Sequence, residues 1–255
     1  MRATDFEFRY RFWFVSLTYF VGFGCYWFDH LNASVALARW MFSTSDPHLH
    51  SLAARHAIQG LFILSAGLVT AAAWMRTWGG AYLRTEVARD GAVRTEKLVA
   101  DGPYRHLRNP LYLGNLLLTA GMAMMASRTG GVVLIIGNVL VVWRLIGREE
   151  AALEQSQGEA YRAFLGAVPR LWPSLRPRLP ASGRQAKWPQ AFMGEAWVWI
   201  FALNGFVFAW RLSLTLYYTL QCASAAAYFL VWVALGRLRR RNSAPTAHDP
   251  QSSRS

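Results

Sequence analysis

Only two cysteines occur in the 255 residues, Cys25 and Cys222, and both sit inside apolar runs, which leaves no disulfide framework and no cysteine-based metal site. Charge is scarce as well. Asp, Glu, Lys and Arg make up 16% of the chain against 54% hydrophobic residues, a balance too apolar for a soluble domain of this length. Acids are the rarer sign, 14 against 27 Lys and Arg, for a formal net charge of +13. No glycine loop of the Rossmann or P-loop kind is present, so neither soluble nucleotide-binding fold is indicated. Asp46, His48, His50 and His56 have ligand-like spacing, but no further ligands accompany them and no metal is expected. No internal repeat is visible, and the polar residues 242–255 read as a disordered tail.

What the chain has in place of these is apolar length. Six runs, at about residues 12–31, 56–75, 112–127, 131–146, 196–210 and 213–236, approach or reach the roughly 20 residues that cross a hydrocarbon core. The expected fold class is therefore an all-α integral membrane protein of about six transmembrane helices. The third and fourth runs are short and separated only by Arg128-Thr129-Gly130, which predicts a tight, thin helical hairpin. The first run contains Asp29 and His30 and lacks a small-residue cleavage site, so it is read as a retained helix. Four regions follow: two helices in 1–82, a core with the hairpin in 83–175, a linker and two helices in 176–241, and the tail in 242–255.

The basic residues are not spread evenly. Only Arg39, Arg55, Arg128 and Arg211 fall in the loops after the first, third and fifth runs; the rest lie in the amino terminus, the other loops and the tail. The positive-inside rule then places both termini in the cytoplasm, as expected of an inner-membrane protein of bacterial type. The excess charge serves topology and anionic lipid, and no nucleic-acid partner is expected. Trp13, Trp27, Trp40, Trp74, Trp78, Trp197, Trp210 and Trp232 lie near run ends and read as interfacial anchors.

Chemistry points to two polar segments that flank the hairpin. Residues 98–114, LVADGPYRHLRNPLYLG, are broken by Gly102, Pro103 and Pro110, so Tyr104, His106, Arg108, Asn109 and Tyr112 stand on irregular backbone beside a helix that Pro110 is suited to start. The second segment continues the fourth run through Arg144, Arg148, Glu149 and Glu150, is interrupted at Gly158, carries Tyr161 and Phe164 on one face, and ends in extended chain at residues 168–173. Charges this close to hydrocarbon cost a few kcal/mol unless paired or wetted. Two readings of the residues stand: a functional pocket, or arginines on lipid phosphates with the acids on a solvated helix face.

Glu96-Lys97-Leu98-Val99, Gly102-Pro103-Tyr104, Arg108-Asn109-Pro110-Leu111-Tyr112-Leu113-Gly114, Glu149-Glu150, Gly158, Tyr161 and Val168-Pro169-Arg170 occur in one order over about residues 83–173. In this the chain resembles the isoprenylcysteine carboxyl methyltransferase and phospholipid methyltransferase family of integral membrane enzymes. The resemblance implies S-adenosyl-L-methionine as cofactor and a lipid-like or isoprenoid-like acceptor, a carboxylate, amine or thiol, that enters from the bilayer. It maps cofactor binding to Lys97, Leu98, Val99, Gly102, Tyr104, His106, Arg108, Asn109, Pro110, Leu111, Tyr112 and Glu149, and the catalytic group to Arg144, Arg148, Glu149 and Glu150. One position departs: the family's usual His before Pro110 is Asn109, which can hydrogen-bond but cannot carry a proton. Membrane sterol reductases with a nicotinamide cofactor share a similar motif, but Asn115 stands where an acid would be expected. A non-catalytic membrane interaction protein of the same fold is the other alternative.

If the arginine asymmetry sets orientation, reporters fused after Ser255 and inserted near Lys187 are expected on the cytoplasmic side and one near Pro47 outside. Finding the Pro47 and Lys187 reporters on one side would refute the six-crossing reading.

Overall fold

The computed structural model describes residues 2–42, 52–87 and 100–242. Among them the architecture is helical: α1 Asp5–Arg9, α2 Arg11–Gly24, α3 Ala33–Met41, α4 Leu52–Val87, α5 Pro110–Met125, α6 Arg128–Gln157, α7 Glu159–Ala167, α8 Trp188–Arg211 and α9 Leu214–Asn242, with short 3-10 turns at Cys25–Trp27 and Gly102–Arg105. Four helices, α4, α6, α8 and α9, are long and apolar enough to cross a membrane, and α5 is a shorter apolar helix. The protein is thus an integral membrane protein with four candidate spans.

Local chemistry sets the boundaries. Thr4 and Glu7 form a reciprocal capping box on α1. Pro110 occupies the first turn of α5, where its missing N–H removes nothing from the helix. The Ser127 hydroxyl accepts from Gly130 N at 3.1 Å, so Arg128 and Thr129 lie inside α6 and do not form a loop. α6 runs 30 residues, far longer than the short fourth run, because the helix-favouring residues beyond Ile146 continue it without a break. Gly158, at φ +58°, stops it.

The first run also differs from expectation. α2 ends at Gly24 after 14 residues, and the chain turns away where one helix through residue 31 was expected. The cause is a polar clasp on the end of the α5–α6 hairpin. Asp29 accepts from Thr129 N at 2.9 Å and pairs with Arg128 at 3.1 Å. The Thr129 amide, with Arg128 behind it, holds the Asp29 carboxyl down at about 2. Asn32 caps α3 while its Nδ2 donates to Met125 O at 2.9 Å, and Ser34 Oγ donates to Met124 O at 2.8 Å. These bonds satisfy carbonyls that the end of α5 would otherwise leave open.

α2 runs antiparallel to α6, with Ala3 N donating to Arg144 O at 3.0 Å at one end and Gly22 against Gly130 and Leu134 at the other. Small residues allow this approach, as expected where helices associate by packing in lipid. The 16 residues of α5 span about 24 Å at 1.5 Å per residue, less than the roughly 30 Å of a typical hydrocarbon core. α4 is the central helix, packed most extensively on α8 and α5. Val69, Ala72 and Ala73 of α4 bury against Leu118, Val198 and Ala202.

A Cβ on Gly130 would collide with the Gly22 carbonyl oxygen, whereas one on Gly67 in α4 meets nothing within 4 Å. Gly130→Ala is therefore expected to destabilise by about 1–3 kcal/mol and Gly67→Ala to be neutral or slightly stabilising. Thermal unfolding in detergent checks the pair, and equal midpoints would refute the close approach of α2 to α6.

Candidate active site

The end of the bundle opposite the Asp29 clasp is assembled from irregular chain. Gly102 opens a 3-10 turn at φ +57°, and any Cβ there would strike the Tyr82 ring, so only glycine fits. A strap, residues 169–187, locks the turn from outside. Arg108 N donates to Pro169 O at 2.9 Å, Ser174 N to His106 O at 2.9 Å, Arg178 N to Arg105 O at 2.8 Å and Arg105 Nε to Leu179 O at 2.7 Å. Buried Asp101 accepts from Ser182 N at 2.8 Å, from the Ser182 hydroxyl and from Arg184 N at 3.1 Å. Burial opposes that charge, yet these donors outweigh it and hold the carboxyl below its usual range.

Glu150 is the junction between strap, turn and α6. Its Oε2 pairs with Arg170 at 2.5 Å, its Oε1 accepts from Asn109 Nδ2 at 3.3 Å, and Arg108 Nε stands 3.4 Å from Oε1 as an ion pair without hydrogen-bond geometry. Asn109 Nδ2 also donates to Arg170 O at 3.2 Å. Asn109 therefore serves here as a hydrogen-bond donor, a role that needs no proton carrier. Tyr161 is buried beside this group, and burial together with the Glu150 charge pushes its hydroxyl up to about 12.

One helix position earlier, about 100° around α6, Glu149 faces the Tyr112 hydroxyl, with Arg11 contributing the nearby positive charge. Both acids line a cavity of about 2000 Å³ that reaches from Glu149 and Gln157 past Leu118 and Met122 to Tyr26 and Asn32 beside the clasp. Pockets for small ligands are roughly 300–1,000 Å³, so this space exceeds one such ligand. Its charged groups gather at the strap end, and farther along the apolar walls are interspersed with Tyr19, Tyr26, Asn32, Tyr217 and Gln221.

The structure brings Tyr104, Arg108, Asn109, Pro110, Leu111, Tyr112, Glu149 and Glu150 to this one cavity. It places four others outside the lining. Gly102 shapes the turn, and the His106 ring donates through Nδ1 to Ser174 O at 2.7 Å and packs 5.9 Å from Trp78. Arg144 makes paired bonds to Glu7 at 3.1 and 2.7 Å, which hold that carboxyl at about 2, and Arg148 binds Asp5 and the Ala3 carbonyl. Lys97, Leu98 and Val99 lie outside the described residues, as do Asp46, His48 and His50. Arg11, Arg76 and Glu195 line the cavity and were not picked out by sequence reasoning. Trp197, read as an interfacial anchor, is a cavity wall with Arg76 5.5 Å from its ring centre.

Residues 60–160, from within α4 to the start of α7, match the family model for phospholipid methyltransferase. The match takes in the first polar segment and the second as far as residue 160, leaving Tyr161 and Val168-Pro169-Arg170 outside. It begins well before the motifs, so that it includes Arg76, while α8 and α9 lie beyond it. No curated protein and no solved structure matches the chain.

Because the Asp101 pKa is depressed, the bonds from its carboxylate to the strap contribute fully above the ordinary Asp value near 3.8 and are lost as pH falls through the lower folded value. Asp101→Asn is expected to speed amide exchange in Gly102–Arg105 at neutral pH and to remove the acid-dependent part of that exchange. Identical exchange in variant and parent between pH 7 and pH 3 would refute the tether.

Proposed function

We propose, from the premise that residues 60–160 are a phospholipid methyltransferase family domain and the chain a membrane methyltransferase using S-adenosylmethionine, that the strap end of the large cavity is where cofactor and acceptor meet. One observation carries this: a single cavity holds an end that gathers the charged residues beside Tyr104 and Tyr112, and an uncharged, largely apolar length that follows α5 through the bundle. It has room for a cofactor and an acyl or isoprenoid chain together.

The residues present suit this cofactor. Glu149, inside the lining with Tyr112 beside it, is placed to accept from an ammonium group, and Tyr104 and Tyr112 offer ring faces to a sulfonium cation. Lys97, Leu98 and Val99 join them in the proposal on the resemblance alone. When bound, S-adenosylmethionine supplies an electrophilic methyl group whose departure removes the sulfonium charge. The chain's task is then in-line placement and exclusion of water, which apolar walls at Leu111, Leu145 and Leu153 serve. Arg108, Glu150, Arg170 and Asn109 act as positioning residues that fix the turn against α6. Arg144 and Arg148 contribute by holding α1 to α6.

Six crossings with both termini cytoplasmic are part of the same reading. α2 lies antiparallel along α6, and the basic strap and the tail then share the face that cofactor reaches. The acceptor is proposed to be lipid-like or isoprenoid-like, arriving from the bilayer.

Glu149→Gln is expected to weaken S-adenosylmethionine binding ten- to a hundredfold, the equivalent of about 1.5–3 kcal/mol for a charge-assisted hydrogen bond. Glu150→Gln is expected to lower the thermal midpoint more than Glu149→Gln does. Calorimetry and thermal unfolding of protein in nanodiscs check both, and unchanged cofactor affinity in Glu149→Gln would overturn the assignment.

A further inference from the structure

One charged cluster in the cavity has no part in that reading. Arg76 of α4 donates through Nε to Glu195 of α8 at 2.8 Å and through Nη1 to Asn115 of α5, with Trp197 against its face. The two charged side chains are 16% and 8% exposed, so a full ion pair lies inside the helical layer, where replacing it with apolar residues would hold α4 to α8 at least as well. A pair kept there has a reason to face the cavity, and Arg76, Asn115, Glu195 and Trp197 all line it. Among the described residues the hydrogen bonds of Arg76 run through Nε and Nη1, and guanidinium carries further donors on its Nη2 edge.

Position along α5 orders the cavity. Tyr112 and Asn115 are three residues apart on one face, about one turn, and Leu118 and Met122 continue the lining away from the strap. Charged contacts therefore give way to uncharged ones beyond Arg76, the next polar group along α5 being Tyr19 on Thr119. Charge points the same way. The lining holds Arg11, Arg76 and Arg108 against Glu149, Glu150 and Glu195, and Arg170 pairs with Glu150 from outside it, so these groups already sum to one net positive charge. A cofactor with sulfonium, ammonium and one carboxylate adds another. An anionic acceptor offsets this excess.

We propose that Arg76, oriented by Glu195 and Asn115, seats the anionic headgroup of the acceptor amphiphile, phosphate or carboxylate, with its chain running along Leu118 and Met122 and its nucleophile about one helical turn away, beside Tyr112. This rests on the cofactor lying at Glu149 and Tyr112. Arg76 is a specificity residue in this scheme and not part of the methyl-transfer chemistry.

The test is equilibrium binding to full-length protein in nanodiscs, without cofactor, of phosphatidic acid, oleate, neutral diacylglycerol and inorganic phosphate. Phosphatidic acid and oleate are expected to bind at least tenfold more tightly than diacylglycerol, with inorganic phosphate weak because it lacks a chain. Arg76→Gln is expected to abolish the tenfold preference, and Glu195→Gln, whose amide oxygen can still accept from Nε while the competing carboxylate charge is gone, to keep it. Equal losses in both variants would identify a helix tether only and overturn the proposal, as would diacylglycerol binding as well as the anionic lipids or inorganic phosphate binding as tightly as phosphatidic acid. If Arg76→Gln does not fold, the comparison of Glu195→Gln with the parent decides. S-adenosylmethionine affinity, measured separately, is expected to be unchanged in Glu195→Gln. Loss of cofactor binding in the parent itself would instead refute the reading of the Glu149 end while leaving the lipid preference as its own result.

Discussion

The buried carboxylate of Glu150 ties together three segments that otherwise have no reason to meet. Through Arg170 it fixes the strap, through Asn109 and Arg108 the start of α5, and it does so from a helix that continues out of the hydrophobic layer. The buried Arg108 guanidinium is tolerable there because Glu150 pairs with it and the Leu165 carbonyl accepts from it, and removing one partner of such a buried pair costs roughly 3–5 kcal/mol. The geometry of the cavity mouth therefore depends on this one group. Tyr104, Tyr112 and Glu149 are placed by elements that Glu150 holds in register.

The opposite end of the bundle is closed by a second polar knot built on the same principle. Asp29 and Asn32 bind backbone groups at the α5–α6 connection, so a chain reversal at the edge of the hydrophobic layer leaves few of its polar groups unmatched. Between the two knots, glycine contacts draw α2 and α6 together, and the layer at α5 is only about 24 Å thick. Short helices bring both polar ends within reach of one cavity.

The family match covers the first polar segment and part of the second, and leaves the other wall of the cavity outside it. α8, beyond the match, supplies Glu195, Trp197, Phe201 and Phe208 to the lining, and α9 supplies Tyr217, Tyr218 and Gln221. The charged end of the cavity thus comes mainly from inside the match, and much of its uncharged wall from outside it.

The sequence by itself determined the membrane class, the helical content, the two polar segments and eight of the residues that meet in the cavity, because apolar length, proline and glycine punctuation and ordered motifs are local signals. It also determined that α6 would extend past Ile146 and stop at Gly158. Tertiary structure alone decided the rest. Arg76 and Glu195 each border an apolar run in the sequence, next to Met75 and Ala196, and so looked like the charges that end a span; in the fold both helices continue past them and the pair is internal. Arg144 and Arg148 were equally plausible cavity residues until α1 folded back and supplied Glu7 and Asp5. An ion pair between residues more than a hundred positions apart leaves no local trace, since each partner reads as a solvated charge until packing brings the two together and removes the water.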